Sequence, residues 1–451
     1  MTVWFDVEDL FQYAQHGPRR VSGIQRVAFE VYRAASAIGG ERVRFVRHAP
    51  DQAQFTPVDW PTVAAQLASA DASQPSGERP PAARRAITAL AGRLPEEIRK
   101  PLVLASVMQL QSAVSLGRFG VNLALHSARL ARRPARPAAS PTRFEPRSGD
   151  TMLVLGAPWF RGDFPDVVRV LRDDLRMRFG VLVYDLVPIR RPEWVSPDTR
   201  HRFEDWYAHL LPFCDLILAI SRDTASDVEA YMEELRIAPR PVQVLPMGSG
   251  FGAQAGQASP PPGDYVLFVS TLEPRKNHAL AVKVWSVLVE QVRAGTRDPA
   301  SVPDLVFAGR VGWLVGDLLQ QLDNTDWLGG KIRLLPELSD RELRSLYEGA
   351  LFTLFPSLHE GWGLPVTESL ALGKPCLCSN AGAVPEAGGA LCRYFDPEDL
   401  GAAVAAVASV IDDRPALAAW EAEVRRSFRP TPWTETAASL LAAVARVAEA
   451  E

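Results

Sequence analysis

Residues 355–375 read FPSLHEGWGLPVTESLALGKP, and this stretch decides the fold class. The apolar run LFTLFPS (351–357) that leads into it is a predicted strand, and the pattern after Gly-Trp-Gly predicts a short helix opening at Pro365. Proline suits that position because its fixed φ is already helical. Gly373 and Lys374-Pro375 then stop the helix. Strand, glycine turn and helix are the parts of an α/β crossover unit. Gly361 and Gly363 let backbone approach a ligand with no Cβ in the way. The N–H groups and positive dipole end of the helix that follows favour a phosphate. Glu360 falls in the loop and Glu368 about one turn into the helix. Carboxylates accept hydrogen bonds from paired hydroxyls, so two of them beside a phosphate site point to a nucleotide-sugar pocket. Ordinary punctuation also accounts for them, with Glu368 answering the helix dipole and Glu360 solvated.

A second stretch, DYVLFVSTLEPRKNHALAVKVW (264–285), carries the same logic. Residues 265–269 read as a buried strand, 270–274 as a loop at its C-terminal end, and 279 onward as an apolar-periodic helix. Open parallel sheets bind ligands outside the carboxyl ends of their strands, so Arg275 and Lys276 are delivered where a diphosphate would lie. A planar fork beside a compact point charge suits a pyrophosphate leaving group, and so does the plainer reading of a solvated basic turn.

S-T-L-E-P-R-K-N (270–277) followed by H-E-G-W-G-L-P-x-x-E-S-L-A-x-G-K-P (359–375) resembles glycosyltransferase family 4, retaining enzymes of GT-B fold. FAGRVGW (307–313), LLPELSDRELRSLYEGA (334–350), DLILAISRDTASDV (215–228), YDLVPIRRPEW (184–194), DVEDLFQY and SGIQRVAFEVYRA add to the likeness. It spans the chain except for about a hundred residues between Asp51 and Asp150.

The resemblance implies an α/β chain with two doubly wound Rossmann-like lobes facing a crevice. The predicted organisation is an acceptor-side lobe over 1–248, a nucleotide-sugar lobe over 249–431, and a final helix over 432–451 packing back on the first lobe. By the same resemblance, Arg275, Lys276 and the amides at Gly361–Gly363 would hold the donor's diphosphate. Glu368 would accept from ribose hydroxyls, and Glu360 would hold sugar hydroxyls and stabilise charge at the anomeric carbon. Trp362 and Leu364 belong to the same loop. Gly23 and Arg26 would close over the phosphates, and backbone around Gly309, Arg310 and Leu335 would meet the base. Asp185 is a candidate to orient the acceptor hydroxyl. Many relatives have His where this chain has Tyr184, and tyrosine does not titrate near neutrality. Arg190 and Arg191 are candidates to meet an anionic acceptor or a solvated pair. Positive side chains concentrated on the leaving group make a bound metal unnecessary, so no metal and no cofactor is expected. Retention is implied by the family alone.

The E-P-R-K-N and H-E-G-W-G-L-P motifs most resemble the mannosyltransferase branch. The expected reaction moves mannose from GDP-mannose to a glycan or lipid-linked acceptor in surface polysaccharide biosynthesis. A scaffold protein that keeps the fold without turnover, or a nucleotide-sugar epimerase or hydrolase, is the alternative.

Composition sets bounds. The chain has 451 residues, 47% hydrophobic, enough for two cores, and its net charge of −4 gives no case for nucleic acid. Four cysteines and no basic, apolar leader point to a reducing cytoplasm, and Cys376 and Cys378 read as core. Residues 51–150 form a predicted insertion. Between 78 and 147 it carries about thirteen Lys/Arg against four acids, with proline-rich ends. Its apolar stretch is too polar to span a bilayer. Contact with the inner face of the plasma membrane through 79–136 and a helical insertion packed on the first lobe both fit.

Overall fold

The computed structural model describes residues 1–16, 23–48, 55–65, 144–157, 159, 164–250, 263–336 and 338–449. Residues 66–143 of the predicted insertion and most of the predicted linker lie outside them, whereas 55–65 and 144–150, predicted to belong to the insertion, are part of the first lobe and supply its edge strand. Residues 1–71 and 143–451 form one compact unit.

That unit contains two sheets. The first has seven strands in the order β3-β2-β1-β4-β5-β6-β7. These are Val3–Asp6 (β1), Val43–His48 (β2), Phe55–Val58 (β3), Thr151–Val154 (β4), Arg178–Val183 (β5), Leu216–Ala219 (β6) and Val242–Val244 (β7). All pairs are parallel except β2 with β3. The second sheet runs β10-β9-β8-β11-β12-β13, all parallel. Its strands are Tyr265–Val269 (β8), Asp304–Ala308 (β9), Ile332–Leu335 (β10), Thr353–Phe355 (β11), Cys376–Ser379 (β12) and Arg393–Phe395 (β13). Strands buried on both faces need continuous apolar runs, and YVLFV and LILA are buried at every position. Both sheets reverse their winding once, between β1 and β4 and between β8 and β11. Such a switch point opens a crevice at the strands' carboxyl ends.

The apolar period predicts helices over 278–293 and 340–348, and the structure has them at His278–Arg293 and Asp340–Gly349, the latter opened by the Ser339–Glu342 capping box. The same period predicts a helix over 313–322, which in the structure begins at Gly316 and ends at Asn324. Leu314 takes a left-handed φ of 56°, and Trp313 turns its indole Nε1 to donate to the Trp194 carbonyl at 2.8 Å. The apolar period there belongs to an exposed loop. No helices were predicted between 376 and 431, where Leu400–Ile411 and Arg414–Ser427 lie.

The last helix, Trp433–Glu449, buries Trp433, Thr436, Ala437, Leu440, Ala443 and Val444. That spacing of three and four residues makes one stripe. It joins the core that includes Val27, Val31 and Ala35 of the helix Gly23–Gly39. Gly248 admits the Trp433 ring, which a Cβ there would overlap. Among the described residues, no helix is long and apolar enough to cross a membrane.

Candidate functional site

The two loops that leave β8 and β11, on either side of the second switch point, converge on one carboxylate. Glu360 Oε2 accepts from Arg275 Nη1 at 2.5 Å and Glu360 Oε1 accepts from Lys276 Nζ at 2.6 Å. Arg275 is braced by Glu273 Oε1 at 3.0 Å and by the His359 carbonyl at 3.0 Å. Glu360 is 6% exposed. Burial alone would push its carboxyl up, but Arg275 and Lys276 outweigh burial and hold it down to about 2. The group is therefore a fixed anion gripping two cations. Local backbone makes this geometry. Lys276 ends a single turn over Pro274–Lys276, closed by Asn277 in the left-handed region at φ 61°. The Leu358 N–H donates to the Arg275 carbonyl at 2.8 Å, tying one loop to the other.

Glu368 lies one turn into the helix Leu364–Ala371, which follows Gly363 at φ 112°. Its Oε1 accepts from Arg26 Nη1 at 2.7 Å, and its Oε2 from the Tyr347 hydroxyl at 3.0 Å. The sequence reading sends Arg26 to phosphate and Glu368 to ribose, whereas the structure joins the two across the lobes. Arg26 also donates to the Gly250 carbonyl at 3.1 Å. Gly23, at the start of the same helix, faces Leu364.

Gly361 sits against the Tyr184 carbonyl so closely that a Cβ would fall on the oxygen, and Asp185 is its other neighbour. Asp185 Oδ1 accepts from the Val187 N–H at 3.1 Å. Trp362 packs against both lobes' cores. Gly309 donates its N–H to the Leu335 carbonyl at 3.0 Å and runs against Ser270, placing the ends of β9 and β10 beside the loop after β8. The Arg310 side chain is exposed. Tyr184 is buried and donates its hydroxyl to the Leu155 carbonyl at 2.6 Å. Arg190 is engaged by Glu234 at 2.6 Å, and Arg191 by Glu193 at 2.7 Å.

Four contributors escaped the sequence reading. Glu273 stands inside the quoted motif, where an acid beside Arg275 was a usable signal. Tyr347 lies in the quoted stretch 334–350 with nothing there to point to Glu368, and Glu386 lies in no quoted motif. Glu386 accepts from the N–H groups of Arg222 and Asp223 at 3.0 and 2.9 Å, so an acid of the second lobe caps the helix Arg222–Glu234 of the first. Asp9, in the first turn of the helix Glu8–His16 that follows β1, accepts from Gln25 Nε2 at 3.1 Å, and burial raises its carboxyl.

Residues 254–427 match the family model described as Glycosyl transferases group 1. Over 263 residues the chain is 27% identical to the serotype-specific mannosyltransferase WbdA of Escherichia coli, covering 53% of this chain and 31% of that protein. Over 149 residues it is 34% identical to the O-antigen chain mannosyltransferase B of Escherichia coli, covering 33% of this chain and 37% of that one. The chain thus spans about a third of the length of these curated relatives. Among solved structures, Anabaena HepE superposes with a TM-score of 0.53 at 12% identity, covering 99% of this chain and 100% of that one. The fold is GT-B, two Rossmann-like lobes about a crevice.

Proposed function

We propose that this chain is a glycosyltransferase that moves mannose from GDP-mannose to a glycan or lipid-linked acceptor in surface polysaccharide biosynthesis, with retention of configuration. The observation that carries the reading is the Arg275–Glu360–Lys276 triad at the switch point of the second lobe. The family match over that lobe and the mannosyltransferase names of its relatives support it.

Arg275 and Lys276 stand against Glu360 and Glu273, two cations held by two carboxylates, beside a glycine loop and a helix N-terminus. A donor diphosphate would draw Arg275 and Lys276 toward its oxygens as the bond to the anomeric carbon breaks. Their preorganised charge stabilises the leaving group without reorganisation. Glu360, ionised throughout, would hold sugar hydroxyls and balance positive charge at the anomeric carbon. The acceptor oxygen forms the new bond, and its proton passes to the departing phosphate. The cationic pair meets the leaving group's charge, so this chemistry calls on no metal at the diphosphate. The Arg26–Glu368 pair must open or turn for a ribose to reach Glu368.

Thermal stabilisation by a panel of nucleoside diphosphates and their sugars, with a chelator present, tests the donor. A shift confined to GDP and GDP-mannose is expected. Stabilisation by uridine or thymidine compounds instead would replace the donor and keep the class. No stabilisation by any compound would refute the reading in favour of a scaffold.

A further inference from the structure

We infer that Asp223, Asp227 and His359 form a divalent transition-metal site assembled across the two lobes. Asp223 and Asp227 stand four residues apart on one face of the helix Arg222–Glu234. His359 comes from the loop after β11 in the other lobe. One ligand atom from each of the three lies within 4.8 Å of the others. His359 Nε2 is 3.7 Å from Asp223 Oδ2. That is too long for a hydrogen bond, yet it suits two atoms each bound at about 2.1 Å to one ion. Asp223 Oδ2 is itself buried and accepts no hydrogen bond. The groups converge on a point without satisfying one another.

The surroundings lean negative. Glu386 reaches the same helix end. Arg190 Nε comes within 3.6 Å of Asp227 Oδ1, but its Nη1 is engaged by Glu234 at 2.6 Å. A bound cation would add positive charge to a cluster in which Asp223, Asp227 and Glu386 face Arg190 and the His359 imidazole. Two carboxylates with one imidazole suit Zn²⁺ or Mn²⁺, whereas Mg²⁺ and Ca²⁺ prefer all-oxygen sites.

The ligands belong to different lobes, so the site exists only while the lobes are together. His359 directly precedes Glu360, so an ion there would also fix the loop that carries the triad. This inference is independent of the transferase reading, because binding is measured without nucleotide.

The test uses the full chain, stripped of metal by a chelator and titrated with Mn²⁺ followed by electron paramagnetic resonance. One bound Mn²⁺ per chain is expected, displaced by Zn²⁺ and not by Ca²⁺. The isosteric pair Asp223→Asn with Asp227→Asn, and His359→Ala, each remove direct ligands and should weaken binding by more than the roughly 10–100-fold that loss of an outer-shell partner costs. Melting of the metal-free variants reports that they fold. Absence of Mn²⁺ binding at millimolar metal overturns the proposal. So does binding that is unchanged in folded Asp223→Asn/Asp227→Asn or in folded His359→Ala.

Discussion

Glu360→Gln keeps the shape of the triad and removes its anion. The carboxyl is held from its usual 4.5 down to about 2. At about 1.4 kcal/mol per pH unit, its ionised form stabilises the fold by about 3 kcal/mol at neutral pH. This stabilisation is fully present above the ordinary carboxyl range and is lost as pH falls from there toward about 2. His278 acts with the same sign. Burial, reinforced by Lys276, lowers it to about 3, so stability also falls as pH drops below about 6.5, where the unfolded imidazole takes up a proton. That second effect is common to both proteins and cancels in their difference. The variant should therefore melt on the order of 6–12 °C lower at pH 7, at about 2–4 °C per kcal/mol for a lobe of this size. The gap should close as pH approaches the folded carboxyl value. Adding a nucleoside diphosphate separates stability from function. Glu360 competes with phosphate for Arg275 and Lys276, so the variant should bind the diphosphate about 10-fold tighter, worth about 1.4 kcal/mol. Transfer should be lost. Calorimetric titration with GDP reads this directly. Equal or weaker binding by the variant would refute the idea that the same two cations serve carboxylate and diphosphate in turn.

Two further substitutions probe the crevice. Tyr184→Phe removes a buried hydroxyl that donates at 2.6 Å to the Leu155 carbonyl. It should cost about 1–3 kcal/mol in chemical denaturation and leave kcat per folded molecule unchanged. A large fall in kcat would place Tyr184 in the chemistry. Arg26→Met breaks a pair whose side chains are 16% and 7% exposed and leaves Glu368 with Tyr347 alone. Destabilisation of about 3 kcal/mol is expected. Nucleoside affinity should rise if Arg26 occludes Glu368, and a fall would show that Arg26 holds the nucleotide itself.

Much of the second lobe was legible because its signals are local. A fully apolar run such as YVLFV has one use in an α/β fold, and Ser339 with Glu342 marks a helix start through its own hydrogen bonds. Arg275, Lys276 and Glu360 could be nominated from strand ends for the same reason. Their union into one triad could not, because it depends on β8 and β11 being neighbours while 83 residues separate Val269 from Thr353. The region after residue 376 gave little, since LGAAVAAVASVI is apolar almost throughout and shows no period.

Arg26 and Glu368 show what the motif reading lacked. Each was assigned separately to part of a ligand, Arg26 to phosphate and Glu368 to ribose. Each assignment treats the residue as waiting for that ligand. A guanidinium and a carboxylate that are both largely buried do not wait unpaired, because an uncompensated buried charge costs several kcal/mol. Without ligand they satisfy each other, as do Glu360 and its two cations. Of these pairs, Arg26–Glu368 joins the two lobes, while the Glu360 pairs lie within the second. On this argument, donor binding exchanges ion pairs within the protein for ion pairs with the ligand. Affinity then reports a difference between two strong sets of contacts, so substitutions that weaken the protein's own pairs should strengthen binding.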